Sequence, residues 1–167
     1  MTKHHGSSPV AAAIARPFFI FLFAVLVSVG APGVATAGDH TRHVNANSDG
    51  YAIDRYDPVA YFTEGRPVRG KTELTAEFGG TKYAFASPGN RAKFLADPAR
   101  YTPQYGGYCA YGVVHGSKSD IDPEVWEIVD GRLYFLLNAG TRSIWEKSKK
   151  SNIRIANKAW KFITGNN

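Results

Sequence analysis

The sequence predicts a small α+β fold: a single domain with two β-hairpins, a short helix after the first hairpin and a C-terminal helical segment. Three observations carry this. Two stretches of strand character are each closed by a two-residue turn signal, Gly79-Gly80 and Asp130-Gly131. Ser87-Pro88 follows the first pair of strands, where Ser suits a helix N-cap and Pro the first helical position. From Thr141 onward the apolar residues take up helical spacing.

The chain has 167 residues, and its beginning does not read as fold. Lys3, His4, His5 and Arg16 make a basic start. Phe18 to Ala31 is almost wholly apolar, about 14 residues against the roughly 20 that span a bilayer. Pro32-Gly33 breaks the run, and Val34-Ala35-Thr36-Ala37 offers the small residues that an export peptidase needs. Residues 1–37 are therefore expected to be a signal peptide cut after Ala37, leaving no membrane span and a periplasmic or secreted chain. Residues 38–50 are polar and aperiodic, and are expected to form a flexible leader; His40 and His43 lie in it. Residues 51–163 are expected to be the domain with its C-terminal helices, and residues 164–167 a tail. Loss of Lys3 and Arg16 lowers the formal net charge from +6 to +4, too modest a balance to predict nucleic-acid binding. No internal repeat is read from the sequence.

Within the domain, Val59 to Phe62 reads as a short strand or tight apolar turn after Asp57-Pro58. Glu73 to Phe78 alternates, with Leu74, Ala76 and Phe78 on one face, and Thr81 to Ala86 is its return strand. Phe94 and Leu95 mark the expected buried side of the following helix, which Asp97-Pro98 ends. Tyr101, Tyr105 and Tyr108 have helical spacing, and Thr102-Pro103 looks like a cap with its first turn. Gly106 and Gly107 oppose that helix by about 1 kcal/mol each. Val125 to Val129 and Arg132 to Leu137 form the second hairpin. Ile144 and Trp145 anchor the first C-terminal segment, and Ile155, Ala156, Ala159, Trp160 and Ile163 make an apolar stripe on the second. Lys147, Lys149, Lys150, Arg154, Lys158 and Lys161 lie in these segments and read as a solvated face, with a basic partner surface as the alternative.

The stretch from Tyr101 to Gly116 concentrates the candidate chemistry. It holds the only cysteine, Cys109, together with His115, four tyrosines and four glycines. One cysteine cannot form an internal disulfide. Cys109 and His115 suit copper(I) or zinc as ligands. In a strand they would share a face about 20 Å apart. In a helix they would be about 120° and 9 Å apart, so only a break near Gly112 lets both reach one ion. Asp57, Asp120, Asp122, His40 or His43 would have to complete such a site. A Cys–His nucleophile needs the same approach and matches no cysteine-enzyme signature here. Cys109 as a small buried hydrophobe among glycines and tyrosines is the third reading. No glycine-rich phosphate loop, paired-carboxylate pattern or CxxC is present. Asp120, Asp122 and Glu124 fit a turn that uses their local hydrogen bonds.

Three segments in order, Asp57-Pro58-Val59-Ala60-Tyr61-Phe62, Tyr83-Ala84-Phe85-Ala86-Ser87 and Phe94-Leu95-Ala96-Asp97-Pro98-Ala99-Arg100-Tyr101, resemble the YHS domain. The following Pro103 to Gly112 is similar to an extension carried by exported bacterial members, so the likeness covers about Tyr51 to Trp160. The resemblance implies a hairpin and then a helix on an aromatic core. It also implies an association with heavy-metal transport and, in many members, metal held by cysteines after Asp-Pro-Val and around the strand-to-helix turn. This sequence has Ala60, Ala86, Asn90 and Arg91 at those places.

The sequence therefore reads as an exported YHS-type binding or accessory module rather than an enzyme. Its expected ligand is a transition metal, copper ahead of zinc, with Cys109 and His115 as the candidate ligands. The alternative is a periplasmic interaction protein that binds no metal, keeps Cys109 as core and meets a partner protein. A third reading is a thiol-dependent enzyme using Cys109.

Overall fold

The computed structural model describes residues 43–166. The expected signal peptide, its cleavage point and His40 lie outside the described residues. Strand β1 (Lys71–Phe78) and strand β2 (Thr81–Phe85) pair antiparallel, and Phe78 faces Thr81 at the closed end. Gly79 and Gly80 both have positive φ, 58° and 73°, as a tight two-residue hairpin turn demands. Strand β3 (Asp122–Val129) and strand β4 (Arg132–Leu136) form the second hairpin, turned by Asp130 (φ 51°) and Gly131 (φ 71°). Each hairpin is its own two-stranded sheet.

Helix α1 (Ala60–Thr63) replaces the strand or turn expected at Val59 to Phe62. The Asp57 side chain accepts the Val59 N–H, which starts a helical turn where the apolar run alone suggested extension. Helix α2 (Pro88–Ala96) begins as predicted, with the Ser87 hydroxyl accepting the Asn90 N–H. Phe94 is fully buried but Leu95 is 50% exposed, because consecutive helical residues point about 100° apart and only one can face the core. Asp97 caps the short helix α3 (Pro98–Tyr101).

The helix expected from Thr102 through Tyr108 does not form. Gln104–Gly107 is a 3₁₀ turn in which Tyr105 (φ 54°) and Gly106 (φ 60°) adopt left-handed backbone. Helix α4 (Ala110–Val114) starts only after Cys109. Helix α5 (Ala139–Lys147) is capped by Asn138, and helix α6 (Lys149–Thr164) ends at Gly165 in the left-handed conformation. Trp145 and Ala156 are buried as expected, whereas Ile144 and Ile155 are exposed and Ile153 packs inward instead.

An internal repeat is present that the sequence reading missed. Each element of the second hairpin-and-helix set starts 51 residues after its counterpart, β1 to β3, β2 to β4, α2 to α5 and α3 to α6. The strands and the α2/α5 pair also match in length. The irregularity in pairing recurs, between Lys71 and Thr75 in one hairpin and between Asp122 and Trp126 in the other. Ser87 and Asn138 hold the same cap position, and Phe94 and Trp145 the same buried helix position. The chain is thus built from two copies of one supersecondary unit. Few side chains are shared, since each position needs only a cap, a turn former or an apolar group of suitable size.

Strand β4 lies between the two cores. Its alternate side chains serve opposite faces: Leu133 and Phe135 join Ile53, Val59, Tyr61, Phe85 and Phe94, while Tyr134 and Leu136 join Tyr105, Cys109, Val113, Trp145 and Ala156. This explains the unbroken apolar run in β4.

Residues 43–50, expected as the end of a flexible leader, are instead held against the fold. The Asn45 N–H donates to the Gly106 carbonyl at 2.8 Å, and Ala46 bridges to Ala52.

Burial raises the phenols of Tyr61, Tyr83 and Tyr105, Tyr83 to about 12. A folded-state value above the unfolded 10 means that the native protein holds its proton longer. The stabilisation is complete below pH 10 and is lost as pH rises towards about 12, roughly 3 kcal/mol for Tyr83. Urea unfolding across that window is expected to show a falling midpoint, with tyrosinate absorbance appearing together with unfolding. Ionisation of Tyr83 in a protein that stays folded and equally stable would contradict it.

Candidate functional site

The positions where the YHS likeness implies thiols meet around one buried carboxylate. Asp57 is completely buried. Its Oδ1 accepts the Val59 N–H at 2.8 Å and the Ala60 N–H at 3.4 Å. Its Oδ2 accepts the Ala86 N–H at 2.8 Å and the Asn90 side-chain N–H at 2.7 Å. Asp57 thereby ties the start of α1 to the β2–α2 junction. Asn90 is held in turn by the Ser87 cap, so helix geometry aims its amide at Asp57. Both oxygens are engaged by donors, and Ala60 and Ala86 contribute backbone only. The donor set does not fit a thiolate metal centre.

The sequence alone offers Asp57 only as an extra ligand, and Asn90 only as an absent thiol. The signal that finds them is a carboxylate directly followed by Pro and an apolar run, which leaves nowhere for it but the interior. In the second unit Thr141 occupies the place of Asn90, and it donates to its own cap, Asn138, at 3.1 Å. No second cradle of this kind is built there.

Cys109 and His115 stand at opposite ends of α4. Cys109 is 1% exposed, packed with Tyr105, Val113 and Trp145, and its sulfur accepts the Gly112 N–H at 3.4 Å. His115 is exposed, with its ring edge-on to Tyr111 at 4.8 Å. The bend near Gly112 that would bring them together is not there, because Cys109 to Gly116 stays hydrogen-bonded as one helical turn and its cap. Gly112 has another reason to be glycine: a Cβ would lie 2.7 Å from the Ser119 hydroxyl oxygen. Asp120 accepts the Ile121 N–H and Asp122 the Glu124 N–H, the local turn bonds expected of them, and Asp120 also accepts from the distant Asn45 side chain. Among the described residues no group of three or more His, Cys, Asp or Glu side chains could hold a metal ion.

A groove of about 300 Å³ lies where Trp160 of α6 meets Tyr83, Pro103, Gly106 and His43. The Trp160 indole forms its wall, edge-on to His43 at 6.3 Å and to Tyr105 at 6.0 Å. Glu127 is nearly buried and accepts from both the Trp145 indole and Lys149. No helix among the described residues is long and apolar enough to cross a membrane.

Compared with protein families, residues 59–105 match the model of the YHS domain. No curated protein and no solved structure matches the chain. The matched segment runs from the end of the Asp57 turn through α1, the first hairpin, α2 and α3 to Tyr105, so it contains the first of the two repeated units. Through that segment the chain carries a YHS domain.

Proposed function

We propose that this is an exported binding or accessory protein in which the YHS unit serves as a rigid scaffold rather than a cysteine metal centre. One observation carries the reading. The place where the family resemblance implies thiols is filled by a carboxylate with four hydrogen bonds, anchoring helix to hairpin. Such a centre suits holding the YHS unit in shape, so that exposed side chains meet a partner. Export is supported by the basic start, the short apolar run and the small residues before Gly38. N-terminal sequencing of the protein from the producing cell is expected to begin at Gly38.

Mass spectrometry under non-denaturing conditions, with and without added Cu(I), tests the metal question. The mature protein is expected to retain no stoichiometric copper, and Cys109→Ser to change nothing. One copper retained, and lost in Cys109→Ser or His115→Ala, would replace this reading with the metal one. Iodoacetamide addresses the thiol reading in the same samples. Cys109 is expected to stay unmodified in the folded protein and to react fully in denaturant, as its burial requires. Rapid labelling without denaturant would favour a thiol-dependent activity.

A further inference from the structure

The solvent side of α6 carries both exposed apolar residues and a row of cations. Helix α6 has no acidic residue. Its inward side carries Asn152, Ala156, Trp160 and Ile163. On the outward side Ile155 is 41% and Phe162 75% exposed. Seven residues apart, these two lie on nearly one line along the helix, about 20° off. Lys150, Arg154, Lys158 and Lys161 follow on the same side of that line, within about 140° of it. These four cations border a shallow depression and have no ion-pair partner among the described residues. Lys149, by contrast, is taken up by Glu127 at 2.5 Å.

We propose that this face docks on an anionic phospholipid surface. An apolar line with cations along its flank is the arrangement of a helix lying in a membrane interface. The apolar side chains enter the headgroup boundary, and the long basic ones reach the phosphates. A helix is convex, so its cations can meet a plane of negative charge together. Phe162 sits in the last full turn before Gly165 and is largely open to solvent. This goes beyond the accessory role proposed above and stands apart from the Asp57 cradle. A failure here leaves the reading of that cradle as it was.

The test is co-sedimentation of the mature protein with vesicles of phosphatidylcholine containing about one third phosphatidylglycerol, beside vesicles of phosphatidylcholine alone. Binding is expected only to the anionic vesicles, and it should be released in about 0.5 M salt. Each of Lys158→Ala and Lys161→Ala is expected to weaken it about fivefold. Phe162→Ser should weaken it at low salt as well, whereas Lys93→Ala on the exposed side of α2 should not. All are solvent positions, and circular dichroism checks that the fold is kept. As a second measurement, Phe162→Trp is expected to shift its emission to shorter wavelength when anionic vesicles are added. Equal binding to both vesicle types, no binding at low salt, or indifference to the Lys substitutions would overturn the proposal. Binding of polyglutamate without binding of vesicles would overturn it in favour of an acidic protein partner. A salt-resistant dimer abolished by Phe162→Ser would overturn it in favour of a second copy.

Discussion

Asp57→Ala is expected to lower the unfolding free energy by about 4 kcal/mol, enough to leave much of a small domain unfolded. The reason is asymmetric. The carboxylate now receives the N–H groups of Val59, Ala60 and Ala86 and the side chain of Asn90. Truncation leaves these donors buried without acceptors, at about 1–3 kcal/mol for each that finds no other partner. Asp57→Asn separates this from loss of volume. Its shape is nearly unchanged, yet either orientation of the amide turns an NH2 group towards N–H donors. It is expected to cost about 2 kcal/mol or more. Urea unfolding of both variants measures this. If Asp57→Asn were as stable as the parent, the carboxylate would not be the acceptor described here, and the scaffold reading of the YHS unit would lose its support.

Much of the architecture was legible because turn and cap chemistry is local. Gly79-Gly80 and Asp130-Gly131 close the hairpins where the sequence placed them, and Ser87-Pro88 starts α2. What escaped depends on contacts between distant residues. Val59 to Phe62 has strand composition, but a hydrogen bond to Asp57 winds it into α1. Tyr101, Tyr105 and Tyr108 keep helical spacing, yet Tyr105 and Gly106 turn left-handed so that a crossing segment can pass. Leu95 and Ile155 share the apolar character of their buried neighbours, yet each sits about 100° from the buried residue beside it and is exposed.

The repeat was hidden for a related reason. Phe94 matches Trp145, and Ser87 matches Asn138, so equivalent positions keep a physical role and not an identity. Counting identical residues does not reveal this; aligning caps, turns and buried helix positions does. The same logic places the candidate site. Cys109 drew attention as the single cysteine, and the resemblance directed attention to missing thiols. Neither pointed to Asp57 and Asn90, which meet only when the β2–α2 junction is folded against α1.

Gly106→Ala is expected to be the most damaging of the glycine substitutions at positive φ. Gly106 has φ 60°, and a Cβ there would lie 1.8 Å from the His43 carbonyl oxygen and 2.9 Å from its carbon. These are backbone atoms, so no rotamer change relieves the overlap. Residues 43–45 must move, which breaks the Asn45 N–H bond to Gly106 and the Asn45 side-chain bonds to Gly107 and Asp120. The Tyr108 hydroxyl loses the Val44 carbonyl with them. A loss of about 3 kcal/mol is expected, with much faster amide hydrogen exchange at Asn45 and Asn47 than in the parent. Gly50→Ala is the control. Its φ is also left-handed, at 79°, but no atom lies within 4 Å of the added methyl. Only the backbone strain of about 1–2 kcal/mol should appear there. Equal costs at the two positions would mean that strain alone is being measured and that the crossing segment is not pressed against Gly106. A larger cost at Gly106, with exchange released at Asn45, identifies the left-handed turn as the seat into which residues 43–45 dock.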